Sequence, residues 1–551
     1  MKLFKLSPFA IAIASLPAMA GNPPDAGRTL QENAPAIQAP VESQKIEIQA
    51  PAVTEAAAGG VTVQVQSISF SGNTLYDAAQ LNAVVGDVAG KSLDLAGLKS
   101  LANQVTQYYR ANGYSFARAY VPAQPVKDGA VQIVVVEGSY GGVAAVGDES
   151  LAPSAQKFLA GLIPGQPIHA RELEHAVLVL DDQPGIKVTP LVRPGQAVGT
   201  GDLDVRVERE KRFAGGLSVD NHGNRYTGRN RVRANVSADS PFMLGDQITA
   251  SGLYTSEQMW FGALGYSLPL GGKGLRANVG VSHTYYELGK QFKNLDAHGT
   301  ADIASAGLTY PIYRSQRANL NIGATYQHKW ITDKQGAAAT KDTKSSDVLP
   351  VALSFDLRDG LGGGGVTYGS VTWTHGNLDL GNGTDKLNDA NAKTDGAFDK
   401  LNLDLARIQL LPNQFSAYAR VSAQWSNENL DSSEGFGLGG SNGVRAYPSG
   451  EAFGDEGALF QAEIRYAKAL ENGASLNPYV FYDAGSIKVN QNNWTTDKNR
   501  RTVSGAGLGM RASYKGWNAD AALAWRLSGG KPESDTKDDI PMLWVTAGYQ
   551  F

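Results

Sequence analysis

An alternation of apolar and polar residues runs through most of residues 211–551 and limits the fold more than any other feature. In one stretch, the two faces read Val232, Ala234, Val236, Ala238 and Arg231, Arg233, Asn235, Ser237. This period of two predicts β-strands. The polar face carries repeated charges, and the apolar face mixes small residues with aromatic ends. That combination is typical of a membrane β-barrel with a wet lumen, and we favour it over a soluble β-sandwich, which also alternates.

The first residues predict export from the cytoplasm. Lys2 and Lys5 precede the apolar run Phe9–Leu16, and an Ala-x-Ala motif ends at Ala20. We therefore expect residues 1–20 to be a cleaved signal peptide. A membrane-anchoring helix is the alternative, but it needs about 20 apolar residues, and this run is shorter. Later segments are also too short for such a helix, whereas a β-barrel crosses a membrane without one.

Composition argues against several classes of function. The chain of 551 residues has a formal net charge of −4 and no block of Lys or Arg, so we expect no nucleic-acid partner. The absence of cysteine excludes disulfides and thiolate catalysis. The histidines lack metal-binding spacing, and the glycine-rich segment 358–369 lacks the Lys-Ser/Thr of a phosphate loop. We expect no enzyme activity, catalytic residues, metal or cofactor.

The segment before the alternating region divides into four parts. Residues 21–33 are expected to form a short helix, and the Pro/Ala/Gln-rich residues 34–60 a flexible linker. Two α+β units follow at 61–138 and 139–210, each with the predicted order β-α-α-β-β. This internal duplication indicates a modular array.

A loop late in the chain carries one charged residue between apolar neighbours. Within 435–457, Arg445 lies between Val444 and Ala446, and Tyr447 follows. A solvated turn with a surface charge is one interpretation. The other is a loop folded into the barrel, where the guanidinium forms a directional, bidentate pair with a carboxylate.

Two later strands offer a receptor for this arginine. By the parity of the alternation, the lumen-facing residues are Phe481, Asp483 and Gly485 on one strand and Gly505, Gly507 and Gly509 on the next. Glycine inside a strand commonly marks the close approach of another backbone. We therefore predict that Arg445 latches onto Asp483 and that the loop tip lies in a groove along the three glycines.

These features together resemble the transporter subunit of two-partner secretion (TpsB type), within the superfamily of outer-membrane assembly and translocation barrels. The family's motifs V-R-G-Y and F-x-D-x-G are matched by Val444, Arg445, Tyr447 and by Phe481, Asp483, Gly485. Ala446 stands where the family usually has glycine, a difference expected to affect the loop tip and not the arginine. The last strand ends in Tyr549 and Phe551, which resembles the signal by which outer-membrane barrels are recognised for assembly; an ordinary final strand is the alternative.

The resemblance implies a fold and a location. We expect a membrane β-barrel of 16 antiparallel strands over residues 211–551, in the bacterial outer membrane. Two periplasmic α+β POTRA domains would precede it at 61–138 and 139–210, and a plug helix would lie within 21–33. Outer-membrane lipid, the barrel-assembly machinery and periplasmic chaperones are expected partners.

The resemblance also implies a function. An outer-membrane transporter of this family captures an unfolded exoprotein, which carries an N-terminal secretion domain, in the periplasm and translocates it to the cell surface. The exposed strand edge of the first POTRA domain and its long helix, Asp94–Asn112, are the expected capture surface. An insertase of the same superfamily, which assembles other barrels, is the alternative. A channel for small solutes is disfavoured, because diffusion needs neither periplasmic domains nor an in-folded loop.

Overall fold

The computed structural model describes residues 24–33, 37–40 and 59–551. Along this part of the chain lie a short helix, α1 (Ala26–Glu32), two small α+β domains and a closed β-barrel. The expected signal peptide, 1–20, and most of the expected linker lie outside the described residues. In the ranges given, no helix combines the length and the apolar character needed to cross a membrane.

The first α+β domain packs two helices on a three-stranded sheet. Its elements are β1 (Val63–Val65), β2 (Ser67–Ser71), α2 (Ala78–Val85), β3 (Lys91–Leu93), α3 (Leu95–Ala111), β4 (Arg118–Tyr120) and β5 (Ala130–Val136). The sheet order is β2-β5-β4, with β2 parallel and β4 antiparallel to β5. The expected single first strand is divided in two, because β1 pairs with β3 instead of joining this sheet.

Apolar spacing explains how α3 sits on that sheet. Leu98, Leu101 and Val105 recur at helical steps and are buried. The helix begins after Asp94, whose side chain accepts the backbone N–H of Gly97 at 2.8 Å. The opposite face of α3 therefore remains toward solvent.

A buried carboxylate fastens this domain internally. Glu137, directly after β5, accepts hydrogen bonds from the backbone N–H groups of Thr74 (2.7 Å) and Leu75 (2.9 Å) and from the Tyr109 hydroxyl (2.9 Å). Burial and the bond to Glu137 raise the pKa of Tyr109 above that of free tyrosine, so its hydroxyl remains a donor. The loop before α2 is thereby tied to α3.

The second α+β domain repeats this topology. Its elements are β6 (Ser139–Gly147), α4 (Ala152–Ala155), a 3₁₀ turn (Gln156–Leu159), α5 (Ala170–Asp181), β7 (Ile186–Pro194) and β8 (Thr200–Arg209). The sheet order is β6-β8-β7, again with one parallel and one antiparallel pair. His169 joins the two domains: its ring packs edge-on against Tyr114, with centroids 5.2 Å apart.

The barrel closes through 16 antiparallel strands, as the last strand pairs with the first. In chain order, the elements of the barrel and its loops are β9 (Phe213–Asp220), β10 (Arg231–Asp239), β11 (Gln247–Thr255), β12 (Trp260–Pro269), β13 (Arg276–Glu287), β14 (Ala297–Arg314), β15 (Ala318–Gln335), β16 (Thr340–Asp359), β17 (Gly365–Leu380), α6 (Thr384–Ala392), β18 (Gly396–Leu410), β19 (Phe415–Ser426), β20 (Phe436–Gly437), β21 (Phe453–Gly454), β22 (Glu456–Tyr466), β23 (Lys468–Ala469), β24 (Ser475–Lys488), β25 (Arg500–Tyr514), β26 (Trp517–Ser528) and β27 (Met542–Gln550). The short pair β20–β21 lies in a loop, and β23 continues the edge of β22 along β24.

The outer face of the barrel is apolar, as the alternation predicts. Its exposed residues include Val232, Leu264, Val281, Leu308, Leu353 and Leu508. The strands β14 to β18 have 15 to 20 residues, more than the about 9–11 that cross a membrane. Beyond Trp330 and Trp373, their outward positions become polar, and the His328–Asp347 and His375–Asp399 pairs mark this boundary. These strands therefore continue past the apolar belt.

The second α+β domain is docked on one end of the barrel. Arg314 donates from Nε and Nη2 to the carboxylate of Asp182, at 2.6 and 2.7 Å. The backbone N–H of Gln316 donates to the Glu174 carboxylate at 2.8 Å. Arg276 donates to the side-chain oxygen of Gln183 at 2.7 Å. These contacts fix which end of the barrel faces the α+β domains.

Candidate functional site: the in-folded loop

The loop between β19 and β22 folds back on itself and enters the lumen. Its limbs are joined by backbone hydrogen bonds from Leu438 to Ala452 (3.0 Å) and from Gly439 to Glu451 (2.9 Å). At the tip, a side chain on Gly443 would place its Cβ 1.9 Å from the Leu438 oxygen, so this turn requires glycine. The tip therefore has a defined shape before it meets the barrel wall.

Arg445 at this tip binds Asp483 on β24. Its Nε and Nη2 atoms donate to the two carboxylate oxygens at 2.8 and 2.7 Å, and its backbone N–H donates to Oδ2 at 3.1 Å. Both side chains are buried, with 6% and 0% of their surface exposed. The structure thus brings together the two residues that the sequence pairs. The surface-turn interpretation is wrong, because the guanidinium is enclosed by the wall.

A second carboxylate on β22 also binds Arg445. The Nη1 atom donates to the Glu463 carboxylate at 2.5 Å. Glu463 also accepts hydrogen bonds from Arg511 (3.0 Å) and Arg465 (2.7 Å). With Asp520, which accepts from Arg511 at 2.8 Å, three guanidinium groups face three carboxylates. Breaking one buried partner in such a set costs about 3–5 kcal/mol, because the other charge is left unpaired.

Glu463 is a site residue that the two sequence motifs do not include. The alternation places its side chain on the lumen face of its strand, which was the available signal. Its proximity to Arg445 follows from the register, since Glu463 lies opposite Phe481, two residues from Asp483.

The predicted glycine groove holds the loop tip at one of its three positions. A Cβ on Gly505 would lie 2.3 Å from the methyl carbon of Ala446, so the tip contacts the wall there. Gly507 and Gly509 instead lie under the rings of Phe481 and Tyr479, where an added Cβ would come within 2.4 and 2.3 Å of those rings. This difference from the prediction arises because these aromatic residues are the cross-strand neighbours of the two glycines.

Phe481 contributes directly to the arginine site. The guanidinium carbon of Arg445 lies 3.6 Å from the centroid of its ring. A cation over an aromatic face is stabilised electrostatically, more so when both are shielded from water. Gly507 is therefore needed for the arginine as well, because it lets the ring lie flat against the wall.

The remaining predicted motif residues fix the position of the loop and do not bind the guanidinium of Arg445. Val444 is fully buried in an apolar cluster with Leu438, and a Cβ on Gly485 would lie 2.6 Å from the Leu438 side chain. The Tyr447 hydroxyl donates to the backbone oxygens of Ser528 (2.7 Å) and Gly530 (2.9 Å). The motif thus combines one charged contact with packing on either side.

Both limbs of the loop have further ionic attachments. On the first limb, Glu434 contacts Lys329 and binds Lys400 at 2.7 Å. On the second, Glu451 accepts from Arg501 at 2.8 Å. The loop is therefore attached to the lumen wall along both limbs as well as at its tip.

Helix α1 lies inside the barrel against the first limb. Asp25 accepts from the Ser432 hydroxyl at 2.9 Å, and the Ala26 N–H donates to Asp333 on β15 at 2.9 Å. A Cβ on Gly27 would lie 2.6 Å from the backbone nitrogen of Ser433, so the helix and the limb are in close contact. Residues 24–33 thus occupy part of the lumen.

The two residues expected to signal assembly lie at the closing seam. Tyr549 is opposite Leu217 on β9. Phe551 and Gly215 exchange backbone hydrogen bonds of 3.1 and 3.3 Å, and the Phe551 side chain is exposed. Both aromatic residues therefore lie near the end of the barrel that faces the α+β domains.

Comparison with known proteins places these features in a family. A family model described as haemolysin secretion/activation protein ShlB/FhaC/HecB matches residues 199–512, and one described as POTRA domain, ShlB-type, matches 63–138. The heme/hemopexin transporter protein HuxB of Haemophilus influenzae (strain 86-028NP) is 29% identical, over 85% of this chain and 83% of HuxB. The outer membrane transporter CdiB of Dickeya dadantii (strain 3937) is 22% identical, over 87% of this chain and 86% of CdiB.

Solved structures show the same fold. CdiB from Escherichia coli superposes with a TM-score of 0.74 at 20% identity, over 92% of this chain and 94% of that one. BamA from Haemophilus ducreyi lacking POTRA domains 1-3 superposes at 0.51 with 13% identity, over 89% of this chain and all of that one. The first family model spans more than half of the residues. The chain therefore belongs to the haemolysin secretion/activation protein family ShlB/FhaC/HecB and is an outer-membrane transporter of two-partner secretion.

Proposed function

We propose that the Arg445 latch holds the in-folded loop as part of the path along which the exoprotein crosses the barrel. Arg445 is bound in the lumen by Asp483 and Glu463, and this observation carries the proposal. Val444, Tyr447, Phe481 and Gly485 shape the loop and its seat. The latch would let the loop line the path without blocking it.

The first POTRA domain, which we assign to residues 61–138, would capture the exoprotein in the periplasm. Strands β2 and β4 are the edges of its sheet. An unfolded chain can add a strand at such an edge through backbone hydrogen bonds, while neighbouring side chains select its sequence. The partner's N-terminal secretion domain would bind there and against α3, and the second domain, 139–210, would pass it to the barrel.

Helix α1 would close the path at rest. It lies in the lumen between β15 and the first limb of the loop. Residues 34–60 would be the tether that lets it leave without detaching. Folding of the exoprotein outside the cell would then give export its direction.

Other assignments concern biogenesis and chemistry. Tyr549 and Phe551 would be read by the barrel-assembly machinery, after periplasmic chaperones have delivered the chain to the membrane. We assign the protein no catalytic activity, nucleic-acid partner, metal or cofactor.

The latch is tested by an export assay on Arg445→Ala, Asp483→Ala and the double variant. We expect Arg445→Ala to abolish export and the double variant to be no worse. Asp483→Ala should retain part of the activity, because Glu463 still binds the guanidinium. Arg420→Ala is the matched control, since it breaks a lumen-wall pair with Asp404 that does not contact the loop.

Heat-modifiable mobility on gels, measured on every variant, separates export from folding. Normal export by Arg445→Ala would contradict the proposal. Loss of the folded barrel in parallel with export would reduce the latch to a structural role. The final location of the client separates transport from the insertase alternative: a client found in the membrane, and not at the surface, would favour the insertase.

A further inference from the structure

A cleft of about 560 Å³ lies between the second POTRA domain and the outside of the barrel. Helix α5 and the 3₁₀ turn before it form one wall, and the end of β14 with the turn before β13 forms the other. The cleft is separate from the lumen and from the latch. It opens where the apolar face of the barrel meets the periplasmic domain.

The barrel side of the cleft continues the membrane-facing surface. Leu308, Tyr310 and Ile312 follow one another on the outward face of β14 and are exposed. The register shifts between Pro311 and Tyr313, and this bulge lets Ile312 and Tyr313 both line the cleft. The apolar surface that contacts lipid chains therefore extends into the cleft without a break.

The cationic residues of the cleft come from both walls. Lys157 and Arg171 lie on the wall of the second POTRA domain, and Lys273 lies in the turn before β13. Among the residues that the structure describes, none of the three forms an ion pair, and Arg171 lies 5.8 Å from the centre of the Tyr313 ring. Arg314, at the same place, is already bound to Asp182. Glu172 also lines the cleft, so three positive charges and one negative charge face a ligand, and positive charge predominates.

We propose that this cleft binds a glycerophospholipid from the periplasmic leaflet of the outer membrane. The phosphate would bind Lys157, Arg171 and Lys273, and an acyl chain would lie along Tyr310 and Ile312. An anionic head joined to an apolar tail matches the cationic and the apolar parts of the cleft, whereas a soluble anion would use the cationic part only. Such a lipid would bridge the second POTRA domain and the barrel.

A single cysteine allows the occupant to be captured, because the chain has none of its own. Ala160 lines the cleft and is exposed. We would label Ala160→Cys with benzophenone and place the protein in nanodiscs of phosphatidylethanolamine and phosphatidylglycerol. After irradiation, the crosslinked products would be identified by mass spectrometry. Val198→Cys is the matched control, since Val198 is 98% exposed and lies in the same domain, outside the cleft. We expect phospholipid adducts at position 160 and not at 198.

Charge reversal tests the head group contacts. We expect Lys157→Glu, Arg171→Glu and Lys273→Glu together to lower the adduct yield severalfold, and Lys273→Glu alone to lower it less. The matched triple Lys127→Glu, Lys187→Glu and Arg206→Glu should leave it unchanged, because these residues lie outside the cleft. Equal yields at both cysteines, or yields unaffected by the cleft triple, would overturn the proposal. Loss of adducts in excess inorganic phosphate would overturn it in favour of a soluble anion.

Discussion

Ala446 and Gly505 are complementary at the point where the loop tip touches the wall. The V-R-G-Y motif that the loop resembles has glycine at the position of Ala446, and here the methyl group of this alanine occupies the space that Gly505 leaves open. Ala446 is fully buried, and its backbone is outside the left-handed region, so alanine fits without strain. The departure from the family motif is therefore accommodated across the contact and leaves Arg445 on Asp483.

Gly505→Ala should displace the loop tip, because the added Cβ would lie 2.3 Å from that of Ala446. We expect reduced export and a lower temperature for the heat-modifiable shift, with partial recovery when Ala446→Gly is added. Recovery would be partial because the new Cβ also meets the Trp525 oxygen at 2.9 Å. Gly252→Ala is the control, since its nearest neighbour is 3.7 Å away. A Gly505→Ala variant that behaves like this control would refute the contact.

For single residues, the type of side chain and the face it lies on could be predicted from the sequence, whereas its contact partners could not. An arginine between apolar residues and an inward aspartate are recognisable by type and parity. The alternation also places Glu463, Gly507 and Gly509 on the lumen face of their strands. What each of them touches depends on strand register, which pairs Phe481 with Gly507, and alternation alone does not determine register.

The first limb of the in-folded loop connects helix α1 to the barrel wall. Glu434 binds Lys329 and Lys400, all three side chains being buried. The neighbouring residue Ser433 accepts the side-chain amide of Gln31 through its backbone oxygen. The seat of α1 is thus built from the loop. Glu434, between two ammonium groups, is one of two carboxylates that hold it; Asp431, which binds Lys344 at 2.6 Å, is the other.

Glu434→Gln should weaken the attachment of this limb, because it leaves two buried ammonium groups without a carboxylate, at a cost of about 3–5 kcal/mol. We expect α1 to lose its seat and the resting conductance in planar bilayers to rise. Asp404→Asn, which breaks the lumen-wall pair with Arg420, is the control. Unchanged conductance in a folded Glu434→Gln barrel would show that α1 is held independently of Glu434.

Elements with strong periodicity were predictable, and boundaries set by pairing were not. The 3- and 4-residue spacing of α3 and the period of two in the barrel determine helix and strand locally. The separation of β1 from β2 depends on β3, a three-residue strand that carries little pattern of its own. The placement of α1 depends on contacts with residues more than 300 positions away, such as Asp333, which no local pattern encodes.

The whole barrel is closed by its shortest seam. Strand β27 pairs with β9 over five residue pairs, whereas β14 and β15 pair over 17. An insertase would have to open a seam to release a client sideways into the membrane, while a transporter passes its client along the lumen. The closing seam therefore distinguishes the two functions.

A disulfide across the seam should leave export intact. Gly215 and Phe551 form a hydrogen-bonded pair, so Ser218 and Gly548, three positions along, form a non-hydrogen-bonded pair with side chains close together. A Cβ on Gly548 would lie 3.1 Å from that of Ser218, near the spacing of about 3.5–4.5 Å that a disulfide needs. We expect Ser218→Cys with Gly548→Cys to export equally with and without reductant. Export that requires reductant would show that the seam opens.

The unequal strand lengths give the mouth of the barrel a slope. Strands β14 to β18 rise past the apolar belt on one side, while β9 to β12, with 8 to 10 residues, do not. At this end of the barrel, the wall therefore has a tall polar lip on one side and a low lip on the opposite side. We expect a polypeptide that emerges from the cell to follow the tall lip and to leave over the low side, close to the plane of the membrane.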